Sequence, residues 1–122
     1  MTISNFLENE LLDTLDGSGS AYSASATYLK LHLGDPGEAG TGSPAANTSR
    51  KVVAFNVASG GSKASTATVE WLNVSTTETY THWSLWDNST AGNCLWYGAL
   101  SSSASVTAGD TFEITALTLT LD

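Results

Sequence analysis

The side chains with which this chain could do chemistry are few: two histidines, His32 and His82, one cysteine, Cys94, and an oxygen-rich run from Asp87 to Asn93. A transition-metal site would need further ligands beside either histidine, and no second His or Cys stands at a helical or hairpin spacing from them. Both are expected to be ordinary strand histidines. Ser84, His82 and Asp87 can be joined on paper into nucleophile, base and carboxylate, but the strained turn that exposes a catalytic serine is missing. No pair of carboxylates can be placed at the separation that glycoside hydrolysis requires. No catalytic residue is assigned, and the chain is expected not to be an enzyme. The run from Asp87 to Asn93 lacks the spacing and terminal Glu of a calcium loop, so no metal and no cofactor is expected. Asn-x-Ser/Thr triplets begin at Asn47, Asn73 and Asn88, close to what chance gives in a chain with 17 Ser and 17 Thr. The aromatic pair Trp86 and Tyr97, with the loop 34–49, could stack on pyranose rings, which makes host surface glycan a second candidate partner.

Composition narrows the classes further. The 122 residues suit one domain. Apolar residues are 41% and charged residues 13%, with four Trp, four Tyr and three Phe, a mixture that fits many short strands and not a helical bundle. Four basic residues against twelve acidic ones give a net charge of −8. Binding to phosphate backbones draws on Lys and Arg, so nucleic acid is excluded as a partner, and anionic lipid with it. No apolar run is long enough to span a bilayer, and the start MTISNFLENELLD has no secretory leader. Synthesis in the cytoplasm follows as the expectation. Cys94, being alone, forms no internal disulfide and is expected to be a small core residue.

The elements that must position these side chains are a short helix and a β body. Ile3, Phe6, Leu7, Leu11 and Leu15 recur at spacings of three and four, which predicts an amphipathic helix, with Ser4 or Thr2 as its cap and Gly17 as its stop. Residues 1–16 are assigned to this docking helix, 17–27 to a linker of Gly, Ser and Ala, and 28–122 to a β-sandwich domain. Alternation predicts strands over 28–33, 52–57, 66–72, 79–86 and 94–100, and one or two more over 105–121. The apolar parity changes between Ile114 and Leu117, which predicts a bulge or bend near Ala116. The loop from Gly34 to Ser49 is long enough to be either functional or mobile. The fold class is all-β, an antiparallel sandwich of jelly-roll or immunoglobulin-like type with one N-terminal helix.

The segments 79–87 and 94–100 read as a hairpin. If Trp86 faces Leu95, then Leu85 faces Trp96, and Trp83 lies over the bare backbone of Gly98. Trp83, Leu85, Trp96 and Leu100 then form the core face. The reverse face carries His82, Trp86, Leu95 and Tyr97, too apolar to stay wet without cover from the same subunit or from another molecule. These four, with Ile3, Phe6, Leu7, Leu11 and Leu15, are the candidate assembly interface.

The segments YLKLHLGDPGEAGTG (Tyr28 to Gly42), THWSLWDNSTAGNCLWYGAL (Thr81 to Leu100) and VTAGDTFEITALTLTLD (Val106 to Asp122) resemble a family of small bacteriophage virion proteins, tail-fibre-like or minor structural proteins. The similarity covers nearly all of the chain and rests on turn and core-strand signatures; Asn47 to Lys51 departs from it. What the resemblance implies is a virion structural protein, an accessory subunit of the head surface or of the tail. It would be assembled in the host cytoplasm as a homo-oligomer by symmetric contacts, against other virion proteins. The alternative is a receptor- or glycan-binding module of the tail.

Overall fold

A computed structural model describes residues 1–121. The fold is all-β and antiparallel, with one helix. A short strand β1 (Thr2–Ile3) leads into helix α1 (Asn5–Leu15). The strands β2 (Thr27–His32), β3 (Lys51–Val53), β4 (Ser62–Ala64) and β5 (Val69–Trp71) follow. The long hairpin strands β6 (Glu78–Trp86) and β7 (Cys94–Val106) come next, then β8 (Phe112–Ile114) and β9 (Thr118–Thr120). Five strands form one sheet in the order β1-β7-β6-β2-β3, and two separate ribbons, β4-β9 and β5-β8, make the opposing layer. The sandwich therefore has one continuous sheet and one divided layer.

Between the layers lie Leu29, Leu31, Trp83, Leu85 and Trp96 from the sheet and Val69, Trp71, Ile114 and Leu119 from the ribbons. Trp71 and Tyr80 pack on Phe112, with ring centroids 5.8 and 5.1 Å away. The parity change near Ala116 has a structural cause. The chain leaves the ribbon with β5 after Ile114 and joins β4 at Thr118, so Ile114 and Leu119 both reach the core although they are an odd number of residues apart.

The hairpin register pairs Trp83 with Gly98 and Leu85 with Trp96, as alternation predicts. A Cβ on Gly98 would lie 2.8 Å from Met1 Cβ and 3.2 Å from the Trp83 ring, so only glycine admits both neighbours. Two irregularities break the ladder. Trp86 pairs with Cys94, not with Leu95, because the register shifts between Leu85 and Trp86. Lower down, Tyr80 pairs with Ala104 and His82 with Ala99, so four residues, Leu100 to Ser103, stand opposite Thr81 alone in a large bulge, with Leu100 still resting on the core. Strand β7 thus runs on to Val106, where the sequence pattern marks a break after Leu100.

Candidate assembly surface

The reverse face of the hairpin is sealed from within the chain. The loop 34–49 folds back along β2, with Leu33 N donating to Ser43 O at 2.8 Å, Ala45 N to Leu31 O at 3.2 Å, and an isolated bridge between His32 and Pro44. Gly40, at φ +69°, comes so close that a Cβ there would stand 2.7 Å from both Cys94 Sγ and the Trp86 ring. On the other flank the Arg50 guanidinium lies 3.9 Å from the Trp86 ring centroid and donates to the carbonyls of Asn88 and Ala91 at 2.8 and 2.7 Å. Trp86 is left 5% exposed. The loop that the sequence leaves as functional or mobile is a cover.

Under that cover runs a hydrogen-bonded chain in which every proton can be assigned. Gly42 O only accepts, so His32 Nδ1, 2.7 Å away, carries the hydrogen. His32 Nε2 then accepts from the Ser84 hydroxyl at 2.7 Å, and Ser84 Oγ accepts from Trp86 Nε1 at 2.7 Å. His32 and Ser84 are fully buried. Burial holds the imidazole below the usual histidine range, and the nearby Lys30, His82 and Arg50 push the same way. A serine–histidine pair is present, but it is the wrong histidine for the constellation drawn from the sequence, and it is closed to substrate. Cys94 is likewise buried, its thiol pushed up to about 11 by desolvation, and is no ready nucleophile. Among the described residues no group of three or more His, Cys, Asp or Glu gathers to hold a metal.

Two members of the sequence-derived interface on this face must be corrected. Trp86 lies beneath the loop, Arg50 and Cys94. Leu95, 4% exposed, belongs to the core, because the register shift leaves it without the partner that would have turned it outward. His82 is half-buried beside Thr81, whose hydroxyl lies 2.8 Å from its Nδ1. Tyr97 is half-buried and donates its hydroxyl to Glu38 Oε1 at 3.0 Å. The aromatic platform for sugar rings does not form, since Trp86 offers no open face.

The helix is different. Ser4 caps it, its Oγ accepting from Leu7 N at 3.3 Å while donating to Cys94 O at 2.6 Å. Glu38 Oε2 accepts from Asn5 N at 2.8 Å, so one carboxylate ties the helix start and Tyr97 to the loop. Ile3 is not on the helix: it sits in β1, paired with Trp96. Phe6 packs edge-on against Tyr22 with centroids 5.3 Å apart, and Phe6 and Leu7 rest on the core. Tyr22, within the stretch read as a linker, donates to Asp87 Oδ2 at 2.9 Å. Burial opposes ionisation of Asp87, yet hydrogen bonds from Asn93 and Tyr22 hold it below the usual carboxylate range.

Beyond Leu7 the helix has little to rest on. Leu11, Leu12 and Leu15 are 43%, 64% and 82% exposed, and none of the residues of α1 is buried. Leu7 and Leu11 border a cavity of about 300 Å³ whose other walls include Trp96, Lys63, Leu119 and Leu121. Trp96 Nε1, buried at that point, has no hydrogen-bond partner.

Among the described residues the end of α1 is apolar and exposed, and the His32–Ser84 pair is sealed. The family model for podophage GP4 fiber I protein gp80 matches residues 2–122. The chain belongs to that family. It is a structural protein of the phage fibre and a component of the virion. No curated protein matches the chain. No helix among the described residues of this fibre protein is long and apolar enough to cross a membrane.

Several residues that organise the surface escape a reading by sequence alone. Leu12 is absent from the stripe drawn through Leu11 and Leu15, although it stands three residues before Leu15 and beside Leu11, which widens the apolar face. Glu38 and Arg50 act across 33 and 38 residues or more of sequence, and no local pattern announces either contact.

Proposed function

We propose that this fibre protein is held to its neighbours in the particle by the outer half of α1, and that its sandwich is the rigid body so placed. The exposure of Leu11, Leu12 and Leu15 on a helix anchored only at its first turn carries this reading. An isolated helix of 11 residues is marginal in water and gains its stability from packing. Three leucines left in water at its end are an unfavourable surface for a free molecule and a favourable one for an assembled particle. Asp13 stands in the outer turns and Asp16 caps their end, so the contact is amphipathic and directional.

The test is incorporation into particles. A chain carrying Leu12→Glu and Leu15→Glu should fold with unchanged circular dichroism and be missing from purified virions. Wild-type levels of the variant in virions would overturn the reading. Removing residues 1–16 is a poorer test, because β1, Ser4 and Phe6 are part of the fold.

A further inference from the structure

The seal over Trp86 is pinned by a titratable side chain. Two carboxylates hold the loop on either side of the pin. Glu38 accepts from Asn5 N and from the Tyr97 hydroxyl, and Glu78 accepts from the backbone of Ala46 and Asn47. Between these anchors, residues 39–44 are tied more lightly. Gly40 meets Cys94 and the Trp86 ring by packing, its own N–H being spent on Gly37 O at 2.9 Å. The bonds from this stretch to the sheet are Leu33 N to Ser43 O at 2.8 Å and His32 Nδ1 to Gly42 O at 2.7 Å, and Ala45, buried and bonded to Leu31 O, ends it.

A second proton on His32 has no place in the closed site. It would turn Nε2 from acceptor to donor. Ser84 Oγ would then receive hydrogens from both Nε2 and Trp86 Nε1, and its own hydrogen would lose its acceptor in a fully buried position. The bond to Gly42 O favours the charged ring, but burial outweighs it. Lys30 on the same strand, His82 opposite on β6 and Arg50 after the loop all oppose a positive charge there. The neighbouring carboxylates are engaged elsewhere: Asp35 with Gly37 N, Glu38 with Asn5 and Tyr97, and Asp87 with Tyr22 and Asn93.

We propose that residues 39–44 are an acid-released flap: a proton taken up at His32 Nε2 makes the closed site costly, and the flap lifts from Cys94 and Trp86 while the sandwich stays folded. Lifting admits water to the imidazole, which removes the cost. The flap yields before the strand does, because β2 is held to β6 over five residue pairs. Opened, the molecule presents the Trp86 ring beside Arg50, an aromatic surface that neutral pH conceals.

Cys94, the one native thiol, reports the flap from beneath Gly40. The purified full chain is treated with dithiodipyridine, which reacts with thiols even in mild acid, from about pH 7.5 to about pH 5, above the range in which carboxylates ordinarily protonate. Each rate is divided by that of the urea-unfolded chain at the same pH. Closure has the full contribution of neutral His32 above about pH 6.5 and loses it below, so protection of the thiol should fall by about tenfold or more across this range. Circular dichroism should not change, and the rate should vary little with urea well below the unfolding midpoint, since a small opening exposes little surface. His82→Gln should keep the fall and His32→Gln should abolish it. Should His32→Gln not fold, the wild-type series in pH and urea decides alone. Constant protection in the wild type, an equal fall in folded His32→Gln, or a rate that climbs with urea as steeply as global unfolding would each overturn the flap.

Discussion

The reverse face of the β6–β7 hairpin and the outer half of α1 are both apolar, and the chain treats them in opposite ways. Over the hairpin it lays the loop 34–49, the Arg50 guanidinium and Gly40, reducing Trp86 to 5% exposure. Over the helix it lays little past Leu7, and Leu15 is 82% exposed. The difference lies in what each surface contains. The hairpin face carries Ser84 against His32 of β2, polar groups that are costly to bury unless every donor and acceptor is met, so its cover must be fixed in place by the chain itself. The helix end needs only apolar contact flanked by charge, which a separate molecule can supply.

Substitutions that break or sharpen this contrast fall in order of their effect on the isolated molecule. Trp86→Ala should be the most damaging, costing on the order of 3 to 5 kcal/mol in urea unfolding, as for other buried aromatics. A loss as large as that of Trp83→Ala is expected, since both indoles are interior. Gly40→Ala puts a methyl where Cys94 and Trp86 already stand and forces a left-handed backbone on alanine, and it should cost about 2 to 3 kcal/mol. Ser4→Ala removes the cap and the bond to Cys94 O, for about 1 to 2 kcal/mol. Leu12→Glu and Leu15→Glu should change the unfolding midpoint least, within about 0.5 kcal/mol, as expected for surface sites.

The sealed face also has a pH signature. The folded-state pKa of His32 is depressed below its unfolded value near 6.5, so the folded protein takes up the proton less readily than the unfolded chain. Its contribution to stability is full above pH 6.5 and is lost as pH falls through and below that value. His32→Gln should flatten that part of the stability profile. An unchanged slope between neutral and mildly acidic pH would show that the imidazole is not shielded as described.

Local pattern carried much of the fold. Period-two alternation located β2, β5, β6 and the first half of β7, and the parity change near Ala116 marked the switch from β8 to β9. The cap, narrowed by sequence to Ser4 or Thr2 and found at Ser4, and the Gly17 stop at φ +77° were legible because caps and left-handed positions restrict residue type. Other features were not legible, for physical reasons. Strands β1 and β4 are two and three residues long, too short for periodicity. The register shift at Trp86 depends on how the loop of residues 87–93 closes, and one extra residue there moved Leu95 from an expected interface into the core. Of the expected site, Leu7 and Leu11 gather at the helix with Trp96 and Phe6 packs on Tyr22, while Ile3 belongs to the sheet and His82 and Tyr97 lie across it. The cover over Trp86 joins residues 40, 50 and 86, a non-local assembly that alternation does not encode.

The most direct test of the contrast uses the burial of Cys94, the one native thiol. A chain with Leu12→Cys should react rapidly with a maleimide when purified and free, and should be protected when the same chain is labelled within intact particles. Equal labelling in both states would contradict an assembly role for the outer half of α1.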